Sequence, residues 1–155
     1  MMPRTKQLSC LALLAISALG AGIVNAAPKP SAGIKGLAEI VTRFEAVGCQ
    51  IVDVSFDKDH WQLKGYRNDL SFVLAVDRET GLLESMRQDT TAPLPPAGTK
   101  ALSQVLAAVE KAGWTQIVRV KLKHRQWEVE ADRGLAQQAL LVDAIGGTIV
   151  TELTE

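Results

Sequence analysis

The sequence predicts an α+β protein of two tandem repeats, each one helix packed on a three- to four-stranded antiparallel meander. Three observations carry that expectation. Val-Asp-x-x-x-Gly is written twice, as Val76–Gly81 and Val142–Gly147, and each aspartate stands sixteen positions after a tryptophan, Trp61 or Trp127. Sliding the chain by 66 from Ile51 to Gly81 matches nine of 31 positions, where composition alone gives about two. Before each matched block the apolar spacing is that of a helix, and inside it the spacing drops to two.

Taken in order, residues 1–26 read as a secretory signal peptide. Arg4 and Lys6 precede an apolar run from Leu11 to Val24, and "VNA" places small residues before a cleavage point between Ala26 and Ala27. The run is short for a membrane span, which needs about 20 apolar residues, so no stable membrane insertion is expected after cleavage. Cys10 precedes the run, whereas a lipid-carrying cysteine would follow it. The expected location is therefore periplasmic or secreted.

The first repeat is expected over residues 31–89. Leu37, Ile40, Val41, Phe44 and Val47 form a helical stripe, with Ser31 as N-cap and Gly48 just past the end as a left-handed cap. Val52, Val54 and Phe56 then alternate with polar residues. A tight turn at Lys58-Asp59 places Phe56 opposite Trp61 and Val54 opposite Leu63. A third strand carries Phe72, Leu74 and Val76, and a fourth spans Leu82–Arg87. Residues 90–97 form a proline-rich, extended linker with a reach of about 3 Å per residue.

The second repeat is expected over residues 98–155. Thr99 is its N-cap, Leu102, Val105, Leu106, Val109 and Ala112 its stripe, and Gly113 its C-terminal cap. Val118, Val120 and Leu122 alternate next, and the same hairpin register sets Leu122 opposite Trp127 and Val120 opposite Val129. In each copy the tryptophan (Trp61, Trp127) is expected to seal the helix–sheet core. The aspartate (Asp77, Asp143) accepts hydrogen bonds from turn N–H groups. The glycine (Gly81, Gly147) supplies a positive φ.

With helix before sheet and a strand ending in "FVLAVDRETGLLES" or, more loosely, "ALLVDAIGGTIVTE", the chain resembles the PepSY domain family over residues 33–89 and 98–155. The resemblance implies an exported, non-catalytic protein that binds proteins or peptides and inhibits or modulates a peptidase of the cell envelope. It brings no catalytic residue set and no cofactor.

The residues themselves agree with a binding role. Without residues 1–26 the chain keeps 15 basic residues against 17 acidic ones, which offers no electrostatic reason to bind nucleic acid. Cys49 is then a lone thiol, expected to be buried and inert, and no internal disulfide is possible. "DKDH" at Asp57–His60 lacks the glycine and distal glutamate of a calcium loop and reads as a turn. No HExxH, GxSxG, SxxK or phosphate loop occurs.

The remaining candidates are charged. Arg119 and Lys121 fall opposite Glu130 and Glu128, and Asp53 opposite Lys64, pairs that neutralise the ridge and read as a solvated sheet face; because the helix leaves this face free, the same six residues are also the candidate partner-facing surface. Asp53, Asp57 and Asp59 stand where the second copy has Arg119, Lys123 and Arg125. That sign reversal either orients the two units, or two molecules, against each other or protects exposed strand edges. The alternative to partner binding is an accessory sensor that takes a small ligand or metal ion for a membrane partner.

Cleavage after "VNA" gives the first test: the intact mass of the exported protein should correspond to a chain beginning at Ala27. A mass that includes Met1, or one raised by lipid, contradicts the export reading.

Overall fold

A computed structural model describes residues 33–90 and 94–153. The signal peptide, Ser31 and the start of the linker lie outside the described residues. The elements run α1 (Gly33–Ala46), β1 (Gln50–Asp57), β2 (His60–Arg67), β3 (Leu70–Asp77), β4 (Leu83–Gln88), α2 (Leu102–Lys111), β5 (Thr115–Lys123), β6 (Gln126–Arg133), β7 (Ala136–Asp143) and β8 (Ile149–Leu153).

All eight strands belong to one antiparallel sheet, in the order β4-β3-β2-β1-β5-β6-β7-β8. This overturns the expected fold class. The chain is not two tandem helix-plus-meander repeats but mostly β, with one eight-stranded sheet and two helices among the described residues. The reason is the pairing of β1 with β5, where Asp53 faces Lys121, Val54 faces Val120 and Ser55 faces Arg119. Each of these strands would otherwise expose a row of unpaired backbone groups beside its own meander. Pairing them satisfies the middle of both rows and, among the described residues, leaves β4 and β8 as the outer strands.

The helices follow the same logic. Leu37, Ile40 and Val41 of α1 and Leu102, Val105, Leu106 and Val109 of α2 are buried in one continuous core, together with sheet residues from both sides of the β1–β5 seam. Helix α1 packs against α2, β1 and β5, so it does not serve one half of the sheet alone. Both helices end in the same way. The N–H groups of Gly48 and Cys49 bond the carbonyls of Glu45 and Phe44, and those of Gly113 and Trp114 bond Glu110 and Val109. Gly48 and Gly113 have φ of 86° and 90°, the left-handed geometry of a Schellman cap. Val47 and Ala112, expected as the last stripe positions, fall beyond the helices and are exposed. Thr99 is not the N-cap of α2. Ala101 holds that position without a side-chain bond, and the Thr99 hydroxyl donates to the Pro96 carbonyl at 2.7 Å.

The hairpins have the register that alternation implies: Phe56 faces Trp61, Val54 faces Leu63, Leu122 faces Trp127 and Val120 faces Val129. One detail differs. An irregularity between Ile51 and Asp53 makes Val52 an extra residue, so Ile51 takes the buried place expected for Val52. A matching irregularity between Thr115 and Arg119 buries Ile117 in place of Val118.

Three indoles anchor this core. Trp61 is 5% exposed, and Trp114 and Trp127 are fully buried. Trp114 directly follows the cap of α2, and the Arg133 guanidinium lies 5.3 Å from its ring centroid. None of the three indole N–H groups has a hydrogen-bond partner among the described residues. Burying an indole is worth roughly 4–6 kcal/mol by area, whereas an unpartnered N–H costs about 1–3 kcal/mol. Ring burial wins. Trp114→Ala and Trp127→Ala should therefore each lose about 3–5 kcal/mol in urea unfolding. Trp127→Phe, which also removes the unpaired N–H, should lose distinctly less, and an equal loss would refute this balance.

Candidate functional site

The helix-free face of the sheet gathers all six residues expected to face a partner. The β1–β5 seam joins their two groups into unbroken rows. In one row, residues directly opposite one another read Val73, Lys64, Asp53, Lys121, Glu128 and Leu141 across six strands of the sheet. In the next they read Ala75, Gln62, Ser55, Arg119, Glu130 and Ala139. Lys64, Asp53, Lys121 and Glu128 thus alternate in sign over about 14 Å, given a strand spacing near 4.8 Å.

The ion pairs actually formed differ in part from the opposite-residue expectation. Arg119 pairs with Glu130 at 3.5 Å. Glu128, however, binds Lys123, one diagonal step away, rather than Lys121. Among the described residues Lys64 and Lys121 form no ion pair. These side chains are half-exposed, so each pair contributes only about 0.2–1 kcal/mol. The face is charged but weakly self-neutralised.

A pocket of about 500 Å³ opens where the seam ends. Pairing of β1 with β5 stops at Asp53 and Lys121, next to the extra residue that Val52 makes in the β1–β2 ladder. Val52 and Leu122 line the gap together with Leu94, Pro95 and Pro96 of the linker, and Asp53, Lys64, Lys123 and His124 stand around it. Tyr66, on the helix-free face yet only 5% exposed, forms another wall. Its burial and the negative charge of Asp89 raise the phenol above its usual pKa. Of these residues only Asp53 and Lys64 were legible as candidates. The break in alternation at Ile51-Val52 was the available signal for a bulge, but no local pattern shows which strand lies beside β1.

The Val-Asp-x-x-x-Gly turns lie at the ends of β3 and β7. The Asp77 carboxylate accepts from the Glu79 N–H at 3.1 Å, the Thr80 N–H at 2.6 Å and the Thr80 hydroxyl at 2.6 Å. Asp143 accepts from the N–H groups of Ile145 and Gly146. Gly81 and Gly147, at φ of 66° and 72°, return their N–H groups to the carbonyls of Asp77 and Asp143. Arg43 of α1 donates to the Gly81 carbonyl and fills the space a β-carbon would need there. Trp61 and Trp127 lie on the core face, opposite the charged rows, whereas Asp143 borders the row at Glu128 and Leu141.

Among the described residues no cluster of three or more metal-ligating side chains occurs, and His60 pairs with Asp57 at 3.9 Å within the β1–β2 turn. Cys49 is free and half-buried, and desolvation pushes its thiol up against the opposing charge of Arg67. No described helix is long and apolar enough to cross a membrane.

No family model matches the chain, and no curated protein matches it. The crystal structure of a "putative lipoprotein" from Clostridium difficile 630 is similar at a TM-score of 0.41 and 13% identity, over 76% of this chain and 90% of that one.

The turn at Asp77 generates a pH prediction. The Thr80 hydroxyl and N–H, with the Glu79 N–H, hold its carboxyl below the usual aspartate range. A lowered folded-state pKa stabilises above the unfolded value and is lost as pH falls through the folded one. Asp77→Asn should therefore be less stable than wild type at neutral pH, and the two should converge as pH falls below about 4. Urea midpoints measured across that range check it; a constant difference would assign the loss to packing.

Proposed function

We propose that this is an exported, non-catalytic binding protein whose helix-free sheet face engages a protein or peptide partner outside the cytoplasm. The observation that carries the reading is the continuous face itself, with opposite charges alternating across the seam and two half-buried lysines lacking ion-pair partners among the described residues. Such a surface steers an oppositely patterned partner and sets its register, while weak internal pairing keeps the cost of exchanging ion pairs low. The signal-like N-terminus supports the location. The resemblance to the PepSY family supports a peptidase as the partner and inhibition or modulation as the effect.

A second reading is favoured by the seam pocket, whose volume lies within the range of about 300–1,000 Å³ found for small-ligand sites. Under it the protein senses a small molecule for a membrane partner.

The two readings separate in one experiment. Immobilised protein is exposed to envelope extract beside an Arg119→Glu/Lys121→Glu variant of unchanged thermal stability. Partner binding through the face requires that the variant retain at least about tenfold less of a protein held by wild type. Equal retention by both rejects the face as the contact. Saturable uptake of a small molecule with no protein retained supports the sensor reading instead.

A further inference from the structure

We infer that the seam pocket receives the C-terminal end of the partner's chain, an apolar residue carrying a free carboxylate. The inference rests on the helix-free face being the partner surface, because the pocket shares Asp53 and Lys64 with that face. Val52, Leu94 and the linker prolines line it, with Leu122 reaching it from the edge of the core, an environment for an apolar side chain. Its lining carries two lysines, Lys64 and Lys123, and one carboxylate, Asp53, with His124 beside them and the charge of Asp89 reaching its Tyr66 wall. Lys123 is engaged by Glu128, whereas Lys64 has no ion pair among the described residues. Lys64 is thus the cation available to an incoming carboxylate.

Asp53 decides between kinds of anion. A carboxylate beside the ligand remains solvated or must accept a hydrogen bond, since burying it against hydrocarbon is unfavourable. A peptide end brings both halves of the required pair: its terminal carboxylate for Lys64 and its last backbone N–H for Asp53. A fatty acid brings the carboxylate but no donor. The volume of about 500 Å³ exceeds the need of one side chain and suits a terminal dipeptide. Backbone capture of a C-terminal carboxylate beside a side-chain pocket is an established mode of peptide recognition.

The test uses ¹⁵N-labelled protein purified after export with its natural N-terminus. Acetyl-leucyl-phenylalanine as the free acid, the same peptide as its C-terminal amide, and decanoate are titrated separately. The free acid should shift the amides of Val52, Tyr66 and His124 to saturation and bind at least about tenfold more tightly than the amide, the value of one charge-assisted hydrogen bond. Lys64→Gln should remove that preference while leaving the spectrum outside the pocket unchanged. Should Lys64→Gln perturb the fold, Asp53→Asn gives an independent reading and must weaken the free acid more than it weakens decanoate. Equal affinity for acid and amide, tighter binding of decanoate, or shifts confined to other surfaces overturns the assignment. If the peptide fails while Arg119→Glu/Lys121→Glu still abolishes partner retention, the pocket assignment alone falls. If the peptide binds but that variant retains the partner fully, the face reading falls instead.

Discussion

The pairing of β1 with β5 is the contact on which everything else depends. It is short, with Val54 against Val120 at its centre and one residue pair on either side. Its backbone bonds are reinforced from below, because α1 packs on both strands and α2 packs on α1. The result is a core that neither half of the sheet could assemble alone. A lone sheet of four strands under one short helix would bury few apolar side chains, and domains below about 70 residues are marginal for that reason. Here Leu37, Val54, Trp127 and Leu106 belong to one cluster. The chain needs no disulfide among its described residues because the two halves share their interior.

Charge disfavours one pairing that competes with this seam. Were β5 to pair with a second β5 about the same centre, Arg119 would face Lys121 twice, and like charges directly opposite are destabilising. Against β1, Lys121 instead faces Asp53 and Arg119 faces Ser55. The like charges on β5 thereby discourage its pairing with a second copy of itself, a penalty absent from the contact with β1.

The seam also creates the surface features that bear on function. Because it is short, β1 and β5 diverge beyond Asp53 and Lys121, and the linker at Leu94–Pro96 lies over the gap. Because it is continuous, charges that would pair within separate hairpins line up into rows. Lys121 then lies between two carboxylates and closes on neither, while Lys123 takes Glu128 diagonally. The turn aspartates show the contrasting case. Their partners lie two or three residues along the chain, so no tertiary choice intervenes.

What the sequence determined by itself is local. The helical stripes of Leu37–Val41 and Leu102–Val109, the hairpin registers of Trp61 and Trp127, the glycine caps and the aspartate turns follow from steric and hydrogen-bonding preferences acting over a few residues. The bulge at Val52 was visible only as two adjacent apolar residues, and alternation alone assigned the wrong one to the core. The single sheet, the common core, the pocket beside Tyr66 and the diagonal ion pair were decided by tertiary structure. Each depends on which strand becomes the neighbour of β1, and a strand's exposed backbone groups are chemically the same whatever edge they meet. That choice is made by burial summed over both halves of the chain, a quantity no local pattern carries.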